Sequence, residues 1–220
     1  MRPLLLAPIL LLGSTRLTGS WGVAYPPADT SAPRAPIVYL HGMWATPEDS
    51  CPLLAHAATA RGFLVCPRGN SPSSPEGRMW TGTYATVAPS VHSALATASA
   101  LSPGALDRQA AGTLVGYSNG AYFAAEIAMH EPGRWTGLVL LSMRLDLDAD
   151  RLRAAGIRRV VLAAGNKDGA RDSMRSQAER LSAAGLTARF MSLGDVGHEL
   201  PVPPGIDGTL ADALAWVAQP

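Results

Sequence analysis

A chain of 220 residues with a formal net charge of +1 has room for one domain, and no basic stripe suggests a nucleic-acid-binding surface. Hydrophobic residues make up 47% of the chain and charged residues only 16%, so a large core can form. Gly and Pro are frequent, but they follow no collagen-like or other repeat period.

The N-terminus has the order of a secretory signal peptide, which we predict over residues 1–24. A charged start at Arg2 is followed by an apolar run over residues 4–12 and then by small and polar residues. The run is too short to span a bilayer, so no membrane insertion is expected after cleavage. Cleavage could follow Ser20 or Ala24. We therefore expect export, either to the periplasm or out of the cell, and a Pro-rich linker over residues 25–35.

From residue 36 to residue 220, apolar runs alternate with helical patterns, and we predict one domain there. The predicted strands cover residues 36–40, 63–66, 111–116, 137–141, 158–164 and 186–193; the predicted helices cover residues 49–61, 84–101, 119–130, 170–184 and 209–218. The strands are continuously apolar, as in sheets buried on both faces. This pattern predicts an α/β fold with a mostly parallel sheet and helices on both faces. Ligand sites in such sheets lie at the carboxyl edge of the strands.

The only two cysteines are Cys51 and Cys66. Cys51 begins a predicted helix, and Cys66 ends the strand that follows it, so both lie at the same edge of the sheet. An exported chain favours a disulfide between them, whereas two buried free thiols would be the alternative.

Ser118 lies in Gly116-Tyr117-Ser118-Asn119-Gly120, between a predicted strand and a predicted helix. This is the G-x-S-x-G pattern of a nucleophile on a sharp turn, where the glycines let the strand and the helix approach closely. A tight turn without catalytic function is the alternative. In the catalytic interpretation, Ser118 is the nucleophile and the helix N-terminus below it favours developing negative charge.

A serine nucleophile needs a base, and His198 is the candidate among five histidines. It follows the last predicted strand, at the edge where Ser118 lies. The other four histidines lie in predicted helices or beside the first strand; they are His41, His56, His92 and His130.

The acid that orients the base should lie between serine and histidine in chain order, which favours Asp168. It follows the strand that ends at Gly165. Asp146 and Asp148 follow an earlier strand and remain the main alternatives. Asp172 lies inside a predicted helix, and Asp195 belongs to the loop of the histidine.

Two backbone amides are candidates for an oxyanion hole, which stabilises the charge that develops on a carbonyl oxygen. The first is the N–H of Asn119, directly after the predicted nucleophile; the second is the N–H of Met43, in the loop after the first predicted strand. We expect the ring of His41 to brace that loop.

These motifs, in this order and spacing, resemble those of the α/β-hydrolases, from residue 36 to residue 218. The similarity is greatest to small lidless carboxylesterases and dienelactone-hydrolase-like esterases. It implies acyl transfer from an ester through an acyl-enzyme. A first hairpin before Pro36 is not evident. Because residues 142–157 are too few for a cap domain, an open site is expected.

The resemblance and the loops at the active edge suggest a substrate cleft lined by Trp44, Trp80 and Tyr117. For the two tryptophans, packing or rim positions are the alternative. The substrate would be a small-molecule or polymeric ester.

No motif for a metal or a phosphate-bearing cofactor occurs, so we expect neither a metal nor any other cofactor. We also expect a monomer. A peptidase or amidase with the same triad, or a silent binding protein on this scaffold, is the competing hypothesis.

Overall fold

The computed structural model describes residues 15–203 and 205–219. Ten strands and seven helices alternate along this part of the chain. The strands are β1 (Leu17–Gly19), β2 (Gly22–Tyr25), β3 (Pro36–Leu40), β4 (Phe63–Pro67), β5 (Ser71–Pro72), β6 (Arg78–Met79), β7 (Gly112–Tyr117), β8 (Trp135–Leu141), β9 (Arg159–Ala164) and β10 (Thr187–Ser192). The helices are α1 (Pro47–Ser50), α2 (Pro52–Thr59), α3 (Tyr84–Leu101), α4 (Asn119–His130), α5 (Ala149–Ala154), α6 (Arg171–Ala183) and α7 (Asp207–Val217).

Eight strands form one sheet in the order β1-β2-β4-β3-β7-β8-β9-β10. All neighbours from β4 to β10 pair in parallel, whereas β1 and β2 pair antiparallel at one end. The predicted mostly parallel α/β fold is therefore confirmed. Among the described residues, the small β5-β6 hairpin forms a separate sheet within the long loop that follows β4.

Helices cover both faces of the sheet, and successive strand residues alternate between the two. On one face, Val38 and Leu40 pack with the helices α3 to α6; on the other, Ile37 and Tyr39 pack with α2 and α7. Every residue of β3 and of β4 is buried. Strands buried on both faces explain why the sequence shows unbroken apolar runs rather than alternation.

The structure places the start of the domain earlier than predicted. Residues 1–14 of the predicted signal peptide lie outside the described residues, but β1 and β2 form a hairpin whose second strand pairs with β4. Val23 and Ala24 of β2 are fully buried. The expectation that no hairpin precedes Pro36 was therefore wrong. Cleavage after Ser20 or Ala24 would cut within this hairpin.

The predicted disulfide between Cys51 and Cys66 is confirmed, with the two Cα atoms 6.0 Å apart. Cys51 lies between α1 and α2, where the predicted single helix is divided, and both cysteines are fully buried. The bond ties this helix pair to β4, next to the loop that leads to the candidate site.

Replacing both cysteines with alanine is expected to lower the free energy of unfolding by about 3 kcal/mol, because the disulfide closes a loop of 15 residues in the unfolded chain. Urea unfolding of the two proteins measures the difference. A reductant should destabilise the wild type and leave the double variant unchanged. Equal unfolding midpoints under oxidising conditions would contradict a stabilising role for the bond.

Candidate active site

Ser118 occupies the sharp turn between β7 and α4. Its backbone has φ 51° and ψ −121°, a conformation that is strained for a residue with a side chain. The turn is held by the N–H of Ser118, which donates to the carbonyl oxygen of Leu141 at the end of β8 (2.9 Å). The strain and this anchor fix the hydroxyl at the carboxyl edge of the sheet.

The two glycines that flank the turn are required because the backbone of another segment approaches each of them too closely to leave room for a side chain. A Cβ atom on Gly116 would lie 2.5 Å from the Cα of Ala121, and one on Gly120 would lie 2.1 Å from the carbonyl oxygen of Leu40. Side chains at either position would push α4 away from β7 or from β3. The structure thus supports the sequence interpretation of both glycines.

His198 meets Ser118, as the sequence predicts. Its Nε2 atom lies 2.9 Å from the Ser118 Oγ atom, although the two residues are 80 positions apart. The imidazole is about half exposed, with 53% of its side-chain surface accessible, so a substrate can reach it. A hydroxyl proton can therefore pass from serine to imidazole along one hydrogen bond.

Tyr117 positions the histidine loop from the opposite side. Its hydroxyl donates to the carbonyl oxygen of His198 (2.9 Å), and the two rings lie 5.6 Å apart. Burial raises the pKa of Tyr117 to about 12, and the nearby negative charges of Asp168 and Glu199 act in the same direction. The phenol therefore remains neutral and can act as a donor at physiological pH.

Asp168 lies behind the imidazole, with its Oδ2 atom 3.1 Å from His198 Nδ1. Its other oxygen, Oδ1, accepts a hydrogen bond from the N–H of Ala170 (2.8 Å). Only 2% of this side chain is exposed. Since a carboxylate can only accept here, Nδ1 of the histidine carries the proton and Nε2 is free to accept from serine.

Backbone hydrogen bonds hold the loops of Asp168 and His198 together. The N–H of Asn166 donates to Gly194 (2.8 Å), and the N–H of Lys167 donates to Val196 (3.0 Å). Both loops follow neighbouring parallel strands, β9 and β10, so they leave the sheet at the same edge. The topology, rather than any local motif, brings acid and base together.

The competing acidic residues lie elsewhere. Asp148 caps helix α5, where its Oδ1 atom accepts from the N–H groups of Asp150 and Arg151. Asp195 pairs with Lys167 at 2.8 Å, and Asp172 lies 3.3 Å from Arg171. Asp146 is exposed on the loop after β8.

The remaining histidines in helices also make other contacts. His92 pairs with Glu131 (2.7 Å), and the exposed His56 lies 3.5 Å from Asp207. His130 stacks on Tyr84 with ring centroids 4.8 Å apart. None of these three contacts Ser118, which leaves His198 as the imidazole hydrogen-bonded to it.

The loop after β3, which holds the predicted oxyanion donor Met43, packs against the serine turn. A Cβ on the preceding residue, Gly42, would lie 3.4 Å from the Cβ of Ser118. Asn119 follows Ser118 as the first residue of α4. Both predicted amide donors are therefore adjacent to the serine along the chain or in space.

His41 braces this loop, as expected from the sequence. The ring is fully buried, and its Nε2 atom accepts from the N–H of Gly69 (3.1 Å), so Nδ1 bears the proton and donates to the carbonyl oxygen of Gly42 (2.8 Å). Burial lowers the pKa of His41 to about 4, and the nearby charges of Arg68 and Arg78 add to this effect.

A neutral buried His41 predicts a loss of stability in acid. In the unfolded chain His41 takes up a proton below its ordinary pKa of 6.5, whereas in the folded chain it stays neutral until the pH falls to about 4. The free energy of unfolding should therefore fall between pH 6.5 and pH 4, by about 3 kcal/mol from this residue. Urea unfolding across that range measures the slope. His41→Gln should reduce the slope, whereas replacing the exposed His56 with Gln should not; equal slopes in all three proteins would contradict the assignment.

No protein-family model and no curated protein matches the chain, but solved structures do. The serine hydrolase FphF of Staphylococcus aureus, described as fluorophosphonate-binding, superimposes with a TM-score of 0.66 at 14% identity, over 90% of this chain and 92% of that one. Esterase PE8 gives 0.65 at 21% identity, over 87% and 96%. A carboxylesterase of Bacillus cereus gives 0.61 at 20% identity, over 88% and 91%.

The chain has the α/β-hydrolase fold. In this fold the segment between β8 and β9 holds only the six-residue helix α5, so the described residues contain no cap domain over the serine. Within the same part of the chain, no helix is both long and apolar enough to cross a membrane.

A cleft of about 290 Å³ opens beside His198 at the active edge of the α/β-hydrolase fold. Tyr117, one of the three residues predicted for a substrate cleft, lines this cleft, but the two tryptophans do not. Trp80 is almost completely buried, because its Nε1–H donates to the carbonyl oxygen of His41 (3.1 Å). The prediction that Trp80 lines the cleft was therefore wrong.

Trp80 instead fixes the N-terminus of α4. Its backbone N–H donates to the Oδ1 atom of Asn119 (2.8 Å), and its carbonyl oxygen accepts from Nδ2 of the same side chain (3.2 Å). Trp44 is 70% exposed, its backbone lies against the loop that contains Gly77, and it is not among the residues that line this cleft.

Several residues that line the cleft were not identified from the sequence. The walls include residues from β3, from the loop that follows it, from helices α1 and α2, and from the segment after His198; these residues are Tyr39, Ala45, Asp49, Ser50, Leu53, Glu199 and Leu200. Tyr39 could have been identified from the sequence, because it carries the one polar group in an otherwise aliphatic strand and lies near the carboxyl end of that strand. Glu199 and Leu200 could have been inferred from their position next to the base.

Over residues 15–203 and 205–219, no group of three or more His, Cys, Asp or Glu side chains is arranged to hold a metal ion.

Proposed function

We propose that this protein is a serine hydrolase that cleaves carboxylic esters through an acyl-enzyme. The observation that supports this most directly is the continuous set of hydrogen bonds from Ser118 Oγ to His198 Nε2 and from His198 Nδ1 to Asp168 Oδ2, at 2.9 and 3.1 Å. The fold of FphF and of two esterases agrees with the proposal. In this scheme His198 takes the serine proton, and Asp168 stabilises the imidazolium that forms.

The N–H groups of Met43 and Asn119 are proposed as the oxyanion hole. The support is positional: Gly42, next to Met43, packs against Ser118, and Asn119 begins a helix of twelve residues whose N-terminus favours negative charge. The strained turn and the bonds from Trp80 to the Asn119 side chain keep these groups in place before substrate binds.

Two other functions are compatible with this fold. A peptidase or amidase would need the same triad, and a silent binding protein would need none of it. The exposed imidazole, its free lone pair toward Ser118 and the buried carboxylate behind it favour an active hydrolase over a silent scaffold. The short α5 segment, which leaves the serine uncovered, favours esters whose acyl or alcohol part can extend into solvent.

The experiment that tests the proposal is labelling with a fluorophosphonate, followed by mass-spectrometric mapping of the modified peptide. A label on Ser118 that is lost after pretreatment with a serine-directed inhibitor supports the hydrolase. Absence of label in folded protein would favour the binding protein. Parallel assays use p-nitrophenyl esters and the matching anilides. Because the ester is chemically the more reactive of each pair, ester hydrolysis without anilide hydrolysis supports an esterase, whereas hydrolysis of the anilide would favour an amidase.

We also propose that the protein is exported. The buried disulfide supports this, because such bonds persist in oxidising compartments. Since β2 supplies two fully buried residues to the sheet, a leader would have to be removed before Leu17 rather than after Ser20 or Ala24.

A further inference from the structure

The cleft beside His198 has a chemical character of its own. Its walls combine apolar side chains, two phenol rings and two carboxylates; the residues concerned are Leu53, Leu200, Tyr39, Tyr117, Asp49 and Glu199. None of the described residues that line it is Lys or Arg. Asp49 and Glu199 are exposed at the mouth, so the cleft is negatively charged at its rim and aromatic within.

The hydroxyl of Tyr39 is the feature that packing leaves unexplained. Tyr39 is fully buried, and its hydroxyl has no hydrogen-bond partner. Ser50 lies beside it but donates its own proton to the carbonyl oxygen of Thr46 (2.7 Å). A buried polar group without a hydrogen-bond partner lowers the stability of the fold. Phenylalanine at this strand position would therefore stabilise the core more than tyrosine does.

The hydroxyl end of Tyr39 is directed toward the cleft. Burial raises the pKa of Tyr39 above its ordinary range; the Ser50 hydroxyl opposes that rise, and the Tyr117 phenol adds to it. Both neighbours line the cleft. A ligand group in the cleft would therefore be close to the Tyr39 oxygen, and its lone pairs would be available to that group.

The position of the cleft relative to His198 indicates which part of a substrate it would hold. In the proposed reaction the Ser118 Oγ atom forms a bond to the acyl carbon while the bond from that carbon to the alcohol oxygen breaks. The proton that His198 took from serine passes to the departing alcohol, and water later releases the acid and restores the serine. The alcohol part must therefore leave beside His198, where the cleft lies.

On the basis of this proposed function, we infer that the cleft selects esters whose alcohol part bears an alkylammonium group. The oxygen of Tyr39 can accept from an ammonium N–H, the partly exposed ring of Tyr117 can attract the cation, and the two carboxylates attract it by charge. The apolar walls accommodate the alkyl groups. A volume of about 290 Å³ admits a compact group of this kind. An alcohol bearing a carboxylate would be repelled by Asp49 and Glu199.

The test compares a 2-(dimethylamino)ethyl ester, whose protonated nitrogen carries one N–H donor, with its uncharged isostere, the 3-methylbutyl ester of the same acid, in the full chain. Because the ammonium group also activates an ester chemically, the diagnostic quantity is the ratio of the two kcat/KM values in each protein. Asp49→Asn combined with Glu199→Gln should lower that ratio about tenfold at low ionic strength, since two unit charges at roughly 6 Å in water each contribute about threefold. The change should fall on KM, and added salt should reduce it.

Two further variants sharpen the comparison. Asp195→Asn removes a carboxylate from the same loop as His198, but this one pairs with Lys167 outside the cleft, and the ratio should stay within twofold of the wild type. Tyr39→Phe should lower the ratio without lowering the thermal unfolding temperature, because the hydroxyl supports no partner in the core.

The outcomes separate this inference from the proposed function. If the wild type fails to hydrolyse either ester, the hydrolase proposal itself fails. If it hydrolyses the uncharged ester but the ratio is equal in wild type and in the double carboxylate variant, the cleft does not select cations. An unchanged ratio in Tyr39→Phe would show that the Tyr39 hydroxyl does not contact the ligand. That result would overturn the inference that the cleft is built for this ligand.

Discussion

Replacing Ser118 with alanine is expected to lower kcat for ester hydrolysis about a million-fold, because no acyl-enzyme can form without the hydroxyl. His198→Ala should lower kcat by a similar factor, since without the imidazole, which lies 2.9 Å from Ser118 Oγ, the serine keeps its proton and no acyl-enzyme forms. The double variant should be no slower than either single variant. Such non-additivity is the signature of residues that act as one unit.

The measurement is kcat with a p-nitrophenyl ester at saturating concentration. Folding is checked by thermal unfolding, because the positive φ of Ser118 strains alanine and serine alike. Ser176→Ala, an exposed serine on α6, provides a matched control that should retain full activity. If Ser118→Ala kept a tenth of the activity, another nucleophile would have to be sought.

Much of the fold could be predicted because burial on both faces leaves a local signature. The unbroken apolar run of β3 and the helical patterns of α3 and α4 correspond to the observed bounds without any shift. Once strands and helices alternate, right-handed crossovers place all carboxyl ends of the parallel strands at one edge. That rule converts the chain order of Ser118, Asp168 and His198 into proximity in space.

The hairpin at the start of the domain could not be predicted in the same way. Residues 17–25 are small and polar in part, and they resemble the end of a signal peptide. Their strand character depends on pairing with β4, where Val23 lies opposite Cys66. A pairing across more than forty residues is decided by the tertiary fold, which a local pattern does not contain.

The cleft was predicted poorly for a related reason. Aromatic residues in loops suggested a binding surface, yet Trp80 is drawn inward by the carbonyl oxygen of His41 and by the side-chain amide of Asn119. Tyr39, by contrast, was assigned to a core strand, and only the structure shows that its hydroxyl is left without a partner. Hydrogen bonds between distant segments decide both cases.

Asp168→Asn is expected to lower kcat about ten-thousand-fold while leaving the fold intact. The reason lies in the two bonds of this buried carboxylate. Its Oδ1 atom accepts from the N–H of Ala170, so an amide at this position must turn its oxygen toward Ala170 and its NH₂ group toward His198. The imidazole must then accept at Nδ1 and carry its proton on Nε2, where it can no longer take the proton of Ser118.

The measurement is kcat together with the rate of fluorophosphonate labelling, which should fall in parallel because both need an activated Ser118. Asp195→Asn is the matched control, since it makes the same chemical change at an exposed carboxylate that pairs with Lys167, and it should stay within about twofold of the wild type. Asp168→Asn with more than a tenth of wild-type activity would mean that the imidazole is oriented without this carboxylate. The tautomer argument would then be wrong, whereas the hydrogen bond between Ser118 and His198 would still provide the base.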